Sequence, residues 1–201
     1  MKKLTLTLTT SCLLTLASLS QAFATTHITM TTNMGAVELN LYEDKAPKTV
    51  ANFIKYIEAG AFNQGQIYRV VRKDNDNGSP KIEVIQGGAN PEFKDFEPVE
   101  LETTQQTGLR HLDGTISMAR DTPNTATSAF FICIGNQPSL DFAGQRNKDG
   151  QGFAAFGQVT KGMSVIKKIH QITATEKSED AYTAGQILAE PVVIESITIS
   201  Q

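Results

Sequence analysis

Between His27 and Tyr42 the chain reads HITMTTNMGAVELNLY, with apolar and polar positions alternating on either side of Asn33-Met34-Gly35. A period of two broken by turn residues predicts a β-hairpin. The period then lengthens. In APKTVANFIKYIEAG, Val50, Phe53, Ile54 and Ile57 fall at i, i+3, i+4 and i+7, with Pro47 at the first helical position and Gly60 past the last. That spacing lines one face of an α-helix. A second helix is predicted over Met163–Gln171, where Val165, Ile166 and Ile169 form the apolar face. The other apolar stretches are short: Ile67–Arg72, Lys81–Gln86, Thr115–Ala119, Ala129–Ile134, Phe153–Val159 and Val192–Ile199. Polar stretches at Asn90–Leu109, Asp141–Gly152 and Thr173–Glu190 read as loops. Many short strands with only two helices predict an all-β antiparallel domain, closed as a barrel.

The N-terminus follows another pattern. Lys2 and Lys3 precede an uncharged Leu/Thr-rich run from Leu4 to Leu19, and Ala22-Phe23-Ala24 supplies a small-x-small cleavage signal. These features predict a secretory signal peptide over residues 1–24, a domain over 25–201 and a periplasmic or secreted location. The run is too short and threonine-rich for a bilayer span of about 20 apolar residues. Without Lys2 and Lys3, 16 of the 18 basic residues face 21 acidic ones, a formal charge of −5. Nucleic acid and an anionic membrane surface are therefore poor partners. Cys133 is then the one cysteine left, so an intramolecular disulfide is excluded, and its apolar setting AFFICIG predicts a buried thiol.

The conspicuous polar segment is Asp74-Asn75-Asp76-Asn77-Gly78. As a calcium loop with Gly78 at position six, it would have Lys73 at position one and Val84 at position twelve. Neither suits the cation, and the same residues are favoured in turns. His27, His111 and His170 show no metal-ligand spacing, and no Gly-x-Ser-x-Gly or phosphate-cradling glycine loop occurs. On either side of the loop, a period of two puts Ile67, Arg69 and Val71 on one strand face, and Ile82, Val84 and Gln86 on another. Spacing alone leaves the plainer reading open, with Arg69 on a solvated face and Gln86 ending a strand.

Three segments in order change this: YRVVR…IEVIQGG, GTISMARDTPNTATSAFFICIG and SLDFAG…GFAAFGQVTKGMSVIKKI. Together they resemble the successive motifs of the cyclophilin family of peptidyl-prolyl cis-trans isomerases, closest to bacterial secreted or periplasmic members. The resemblance runs from Ile28 to Ile199. It implies a closed eight-stranded antiparallel barrel capped by two α-helices. Arg69 falls at the family's catalytic arginine, and Gln86 at the glutamine before the paired glycines. Val84, Phe131, Leu140 and Phe153 fall at positions lining the proline pocket, and Ala119 and Arg120 in the segment whose backbone meets the substrate. The chain departs from the pattern at Glu83, Ala129 and Ser139, where the family commonly has an aromatic, a glutamine and an aromatic, and its connection from arginine to glutamine is long.

The implied activity is rotation about X–Pro bonds of exported polypeptides by a monomer without cofactor or metal. Such rotation needs no nucleophile. It needs a fixed, permanently charged donor such as a guanidinium beside a dry pocket for the ring. Loss of the aromatic at Ser139 is expected to weaken cyclosporin binding. Glu83 and Ser139 also motivate an alternative, a proline-segment binder or chaperone with little turnover.

Overall fold

The computed structural model describes residues 25–200. The expected leader over 1–24 lies outside the described residues. β1 (Thr25–Thr32) and β2 (Gly35–Tyr42) form the expected hairpin, pairing Ile28 with Leu39 and Met30 with Val37. All four side chains are buried. α1 (Pro47–Glu58) begins at Pro47, and Gly60 follows with φ of 68°, a left-handed conformation that ends helices. Val50 and Phe53 are fully buried, while Ile54 and Ile57 pack at the margin of the core.

β3 (Gly65–Val71), β4 (Val84–Gly88), β5 (Thr115–Met118), β6 (Phe130–Cys133), β7 (Ala155–Lys161) and β8 (Ile187–Ile199) complete the sheet. It closes in the order β1-β2-β7-β5-β6-β4-β3-β8, with antiparallel pairing throughout. Closure leaves no unpaired strand edge. Among the described residues two further α-helices are present, the single turn α2 (Thr104–Thr107) and α3 (Met163–His170). α2 was not legible in the polar stretch around it. It is too short for an apolar period, and is set by a capping box between Thr103 and Gln106 and by left-handed Gly108.

The closed sheet separates two apolar clusters. Inside the barrel, Phe53 of α1 packs at 4.9 Å from Phe62, 5.8 Å from Phe130 and 5.1 Å from Phe156, with Ile166 and Ile169 of α3 in the same cluster. Outside the wall, Val71, Ile82, Val84, Phe131, Cys133 and Leu140 form a smaller cluster, with Ala119 and Phe153 against it. The second cluster underlies the site described below.

Strict alternation fails at one important place. Ile67 and Val70 point into the barrel, whereas Arg69 and Val71 face outward. The expected sharing of one face by Ile67, Arg69 and Val71 is therefore corrected. The register shifts between Ile67 and Arg69 against both neighbours, and on β8 it jumps from Val192 to Ile187. An extra residue at Tyr68 makes a bulge, which re-aims the side chain that follows it. β4 also starts at Val84 rather than Lys81. The Ile82 amide donates to Asp76 Oδ2 at 2.8 Å, so the polar loop takes a group that would otherwise extend the ladder.

Candidate active site

The outward faces of β3, β4 and β6 border a cleft of about 370 Å³. Arg69, Val84, Gln86, Ala119, Arg120, Phe131, Leu140 and Phe153 all line it, so the fold brings together every site residue singled out from sequence. Arg69 pairs with Gln86 across the β3–β4 ladder, and the next residue, Gly87, lies against β3. A Cβ on Gly87 would stand 2.6 Å from the Gln66 carbonyl oxygen. Gly87 thus lets the two strands approach and sets Gln86 beside Arg69.

Arg69 is held by amides. Its Nη1 donates to Gln86 Oε1 at 2.9 Å, and its Nε and Nη2 donate to Gln186 Oε1 at 2.9 and 2.6 Å. Gln86 Nε2 in turn donates to the Tyr68 hydroxyl at 2.9 Å. Burial works against the guanidinium charge and lowers its pKa, with the Tyr182 hydroxyl acting in the opposite direction. A group with so high a pKa remains charged at neutral pH. A guanidinium carries five N–H groups; three donate to the two glutamines, leaving one on each terminal nitrogen that they do not engage.

Two other arginines line the same cleft but are tied to carboxylates. Arg120 forks onto Asp149 at 2.8 and 3.0 Å and donates to the Gly152 carbonyl, with its guanidinium 5.2 Å from the Phe153 ring centre. Arg146 forks onto Asp76 at 2.7 and 2.8 Å. Burial tends to raise the Asp76 pKa, but the Arg146 hydrogen bonds and the amides of Gly78 and Ile82 outweigh it, so the carboxyl lies below its usual range. Among the described residues, Arg69 has no carboxylate within ion-pair distance.

The apolar floor is Phe131, with Phe153 edge-on to it at 5.3 Å and Val84 and Leu140 alongside. Beneath Phe131 lies His111, stacked at 5.8 Å and 17°. His111 Nδ1 is 2.7 Å from Asp141 Oδ1 and its Nε2 is 2.9 Å from Ser117 Oγ. These residue types match an acyl-transfer triad, yet Ser117 is 0% exposed and His111 only 1%. A nucleophile sealed from solvent cannot meet a peptide, so the group serves as a buried support for the floor. Cys133 belongs to the same cluster, and burial pushes its thiol pKa upward. This fits the expectation of an inert thiol.

Sequence reasoning missed Gln186, Tyr68, Asp76, Arg146 and Tyr182 as parts of the site. Gln186, Arg146 and Tyr182 lie in segments without periodicity, and only their contacts give them a role. Glu83 and Ser139, which motivated the low-turnover alternative, do not line the cleft; Glu83 pairs with Lys73 at 3.4 Å. A larger hollow of about 540 Å³ lies between Tyr42, Leu109, Leu112 and Gln158, and contains none of the residues singled out from sequence.

Comparison with known proteins agrees with this geometry. Residues 27–199 match the family model described as cyclophilin type peptidyl-prolyl cis-trans isomerase/CLD. Peptidyl-prolyl cis-trans isomerase A of Dickeya dadantii is 38% identical over 193 residues, 92% of each chain. Isomerase B of Escherichia coli is 35% identical over 179 residues, covering 87% of this chain and 99% of that protein. A crystal structure of a Cryptosporidium parvum cyclophilin superposes with a TM-score of 0.64 at 19% identity, covering 89% of this chain and 99% of that one. A second structure of that protein, determined in the presence of the dipeptide Ala-Pro, gives 0.63.

Proposed function

The chain belongs to the cyclophilin-type peptidyl-prolyl cis-trans isomerase family, and we propose that Arg69 is the catalytic residue of its isomerase activity. The observation carrying this assignment is a charged guanidinium fixed by two neutral amides, Gln86 and Gln186, beside an apolar floor. An X–Pro amide rotates over a barrier of about 18–20 kcal/mol because its nitrogen is conjugated with the carbonyl. In the twisted amide the prolyl nitrogen becomes pyramidal and accepts a hydrogen bond. The terminal N–H groups of Arg69 supply it.

Phe131, Phe153, Val84 and Leu140 receive the proline ring and hold it while the preceding carbonyl turns. Gln86 holds Arg69, and in this reading its amide nitrogen, which has a second N–H beyond the one given to Tyr68, donates to a substrate carbonyl. The backbone of Ala119 and Arg120 borders the extended substrate; the Arg120 side chain is committed to Asp149. One charge-assisted hydrogen bond contributes about 1.5–3 kcal/mol, and each 1.4 kcal/mol is about tenfold in rate. Arg69 therefore accounts for about ten- to 150-fold, and the pocket supplies the rest. Arg69→Ala is expected to fold normally and to lower X–Pro exchange at least about tenfold. Exchange spectroscopy on a proline peptide, with near-normal rates in the variant, would remove Arg69 from the mechanism.

The substrates in this reading are X–Pro polypeptides, met as exported proteins that are folding outside the cytoplasm. The leader pattern of residues 1–24 supports that location, and a mature N-terminus at Thr25 in mass spectra of the exported protein is the expected outcome. The enzyme acts as a monomer, without metal or cofactor. Cyclosporin binds, but more weakly than to relatives with an aromatic at the position of Ser139; equal inhibition constants would contradict this.

A further inference from the structure

The isomerase site has one wall that the assignments above leave unused. Tyr182, in the segment before β8, lines the cleft and is 45% exposed, one of few large apolar side chains so open to solvent. Its ring centre is 5.2 Å from the Arg69 guanidinium carbon and 5.3 Å from that of Arg146. Its hydroxyl accepts from Arg146 Nε at 3.1 Å and Nη2 at 2.7 Å, and its carbonyl accepts from Asn77 Nδ2 at 3.3 Å. An exposed ring on a loop normally samples several positions. This one is tied at both its hydroxyl and its backbone.

The tie reaches down into buried structure. The Arg146 side chain is 2% exposed and that of Asp76 0%. Arg146 also donates to the Pro80 carbonyl at 2.7 Å. Gly78 gives it room: a Cβ there would stand 2.3–2.5 Å from the guanidinium atoms. The polar segment 73–80 is thus a seat for Arg146, which in turn holds the tyrosine. One face of the ring lies toward Arg69, and its exposed surface borders the space beside the proline pocket.

We propose that Tyr182 is a specificity-determining residue: it packs against the side chain of a residue flanking the substrate proline and favours apolar and aromatic side chains there. Gly78, Asp76 and Arg146 are positioning residues that hold it in place. The proposal rests on the isomerase reading, because the proline pocket sets where the flanking residue falls. Its chemistry is that of ring-on-ring and ring-on-aliphatic packing. The hydroxyl is directed toward Arg146, so it is the ring that would meet the substrate.

The test uses the mature protein and two peptide series, Gly, Ala, Leu or Phe placed either before or after the proline. For wild type, Tyr182→Phe and Tyr182→Ala, kcat and KM are measured by X–Pro exchange, and affinity by chemical-shift titration. Tyr182→Ala is expected to reduce the preference for Phe over Gly in kcat/KM about two- to tenfold in one series, the worth of one aromatic contact, chiefly through KM. Tyr182→Phe keeps the ring but loses the tie to Arg146, so its preference falls between those of wild type and Tyr182→Ala. Gly78→Ala, which displaces Arg146 without touching the ring, reduces it as well. An unchanged Phe-to-Gly ratio in Tyr182→Ala overturns the proposal, whether all rates fall together or none does. If the wild type exchanges no peptide, the isomerase reading fails, and the same ratio read from the titrations still decides the role of Tyr182.

Discussion

Gln186 is the residue on which the Arg69 geometry depends most and which its sequence context marks least. It is 0% exposed. Its Oε1 accepts two of the three hydrogen bonds that Arg69 donates within the protein, its Nε2 donates to the Asn75 carbonyl at 2.9 Å, and its own carbonyl accepts from Val70 N at 2.9 Å. Gln186→Leu keeps the size and removes both polar ends. Leaving donors and an acceptor unpaired costs about 1–3 kcal/mol for each buried group. Water entering from the cleft relieves part of this at Arg69, so a loss of about 2–3 kcal/mol is expected, or about 4–12 °C in Tm for a domain of this size. A kinetic loss of similar size should accompany it. A displacement of about 1 Å in a catalytic group can cost about 100-fold, and a guanidinium left with one of three anchors will move. The predicted fall in kcat/KM is about ten- to 100-fold, measured by exchange spectroscopy well below the variant's Tm. If Gln186 works only through Arg69, adding Gln186→Leu to Arg69→Ala changes the rate little further. Wild-type kinetics in the single variant, or an equal loss in the Arg69→Ala background, would refute the reasoning.

Two further expectations concern stability. Asp76→Asn breaks the buried pair with Arg146, and removing one partner of such a pair costs about 3–5 kcal/mol; urea unfolding with a loss under about 1 kcal/mol would contradict the burial argument. Acidification tests the same carboxyl with Asp141, whose pKa burial tends to raise but the side-chain and backbone hydrogen bonds of His111 pull lower still. Both carboxyls titrate lower in the folded chain than the unfolded value of about 3.9, so their stabilisation is present above that pH and lost as pH falls through the folded pKa. Thermal unfolding from pH 7 to 3 should show a plateau and then a fall below about pH 4, shallower in Asp76→Asn. Identical acid limbs in the two proteins would exclude Asp76 as a contributor.

The readable parts of the chain were those governed by a local period. α1, the β1–β2 hairpin and the outward set Ile82, Val84 and Gln86 follow from spacing, because burial of one face imposes it. The pocket residues were reached through resemblance of ordered motifs, and the fold places all of them in one cleft. The unread parts depend on partners far away in sequence. Arg69 is separated from Gln186 by 117 positions, and Asp76 from Arg146 by 70. The bulge at Tyr68 was invisible for a related reason: a register shift belongs to three strands at once, and alternation within β3 alone predicts that Arg69 sides with Ile67. The turn reading of Asp74–Gly78 stopped short for the same reason. Turn chemistry explains how the segment bends, but not why Asp76 is buried.

In the proposed mechanism, the electrostatics of the cleft explain why one arginine out of three suits the reaction. Arg120 and Arg146 each meet a carboxylate in a two-pronged contact, so their charge is largely cancelled where it is made. They act as struts, one beneath Phe153 and one behind Tyr182. Arg69 is as rigidly placed but by neutral acceptors alone. Holding a cation this way is harder, because amide dipoles repay less of its desolvation than a carboxylate would, and the lowered pKa of Arg69 records that deficit. The deficit is useful. A guanidinium whose charge is not spent on a carboxylate has more to gain from a developing lone pair, and its attraction to the twisted prolyl nitrogen exceeds that to the planar amide, whose nitrogen has no lone pair to offer. Stabilisation confined to the twisted state lowers the barrier rather than merely tightening binding. The cost of seating an incompletely compensated charge is met by the surrounding fold: the bulge that turns Arg69 outward, the Gln186 amide anchored on Asn75, and a polar loop packed around a separate buried ion pair.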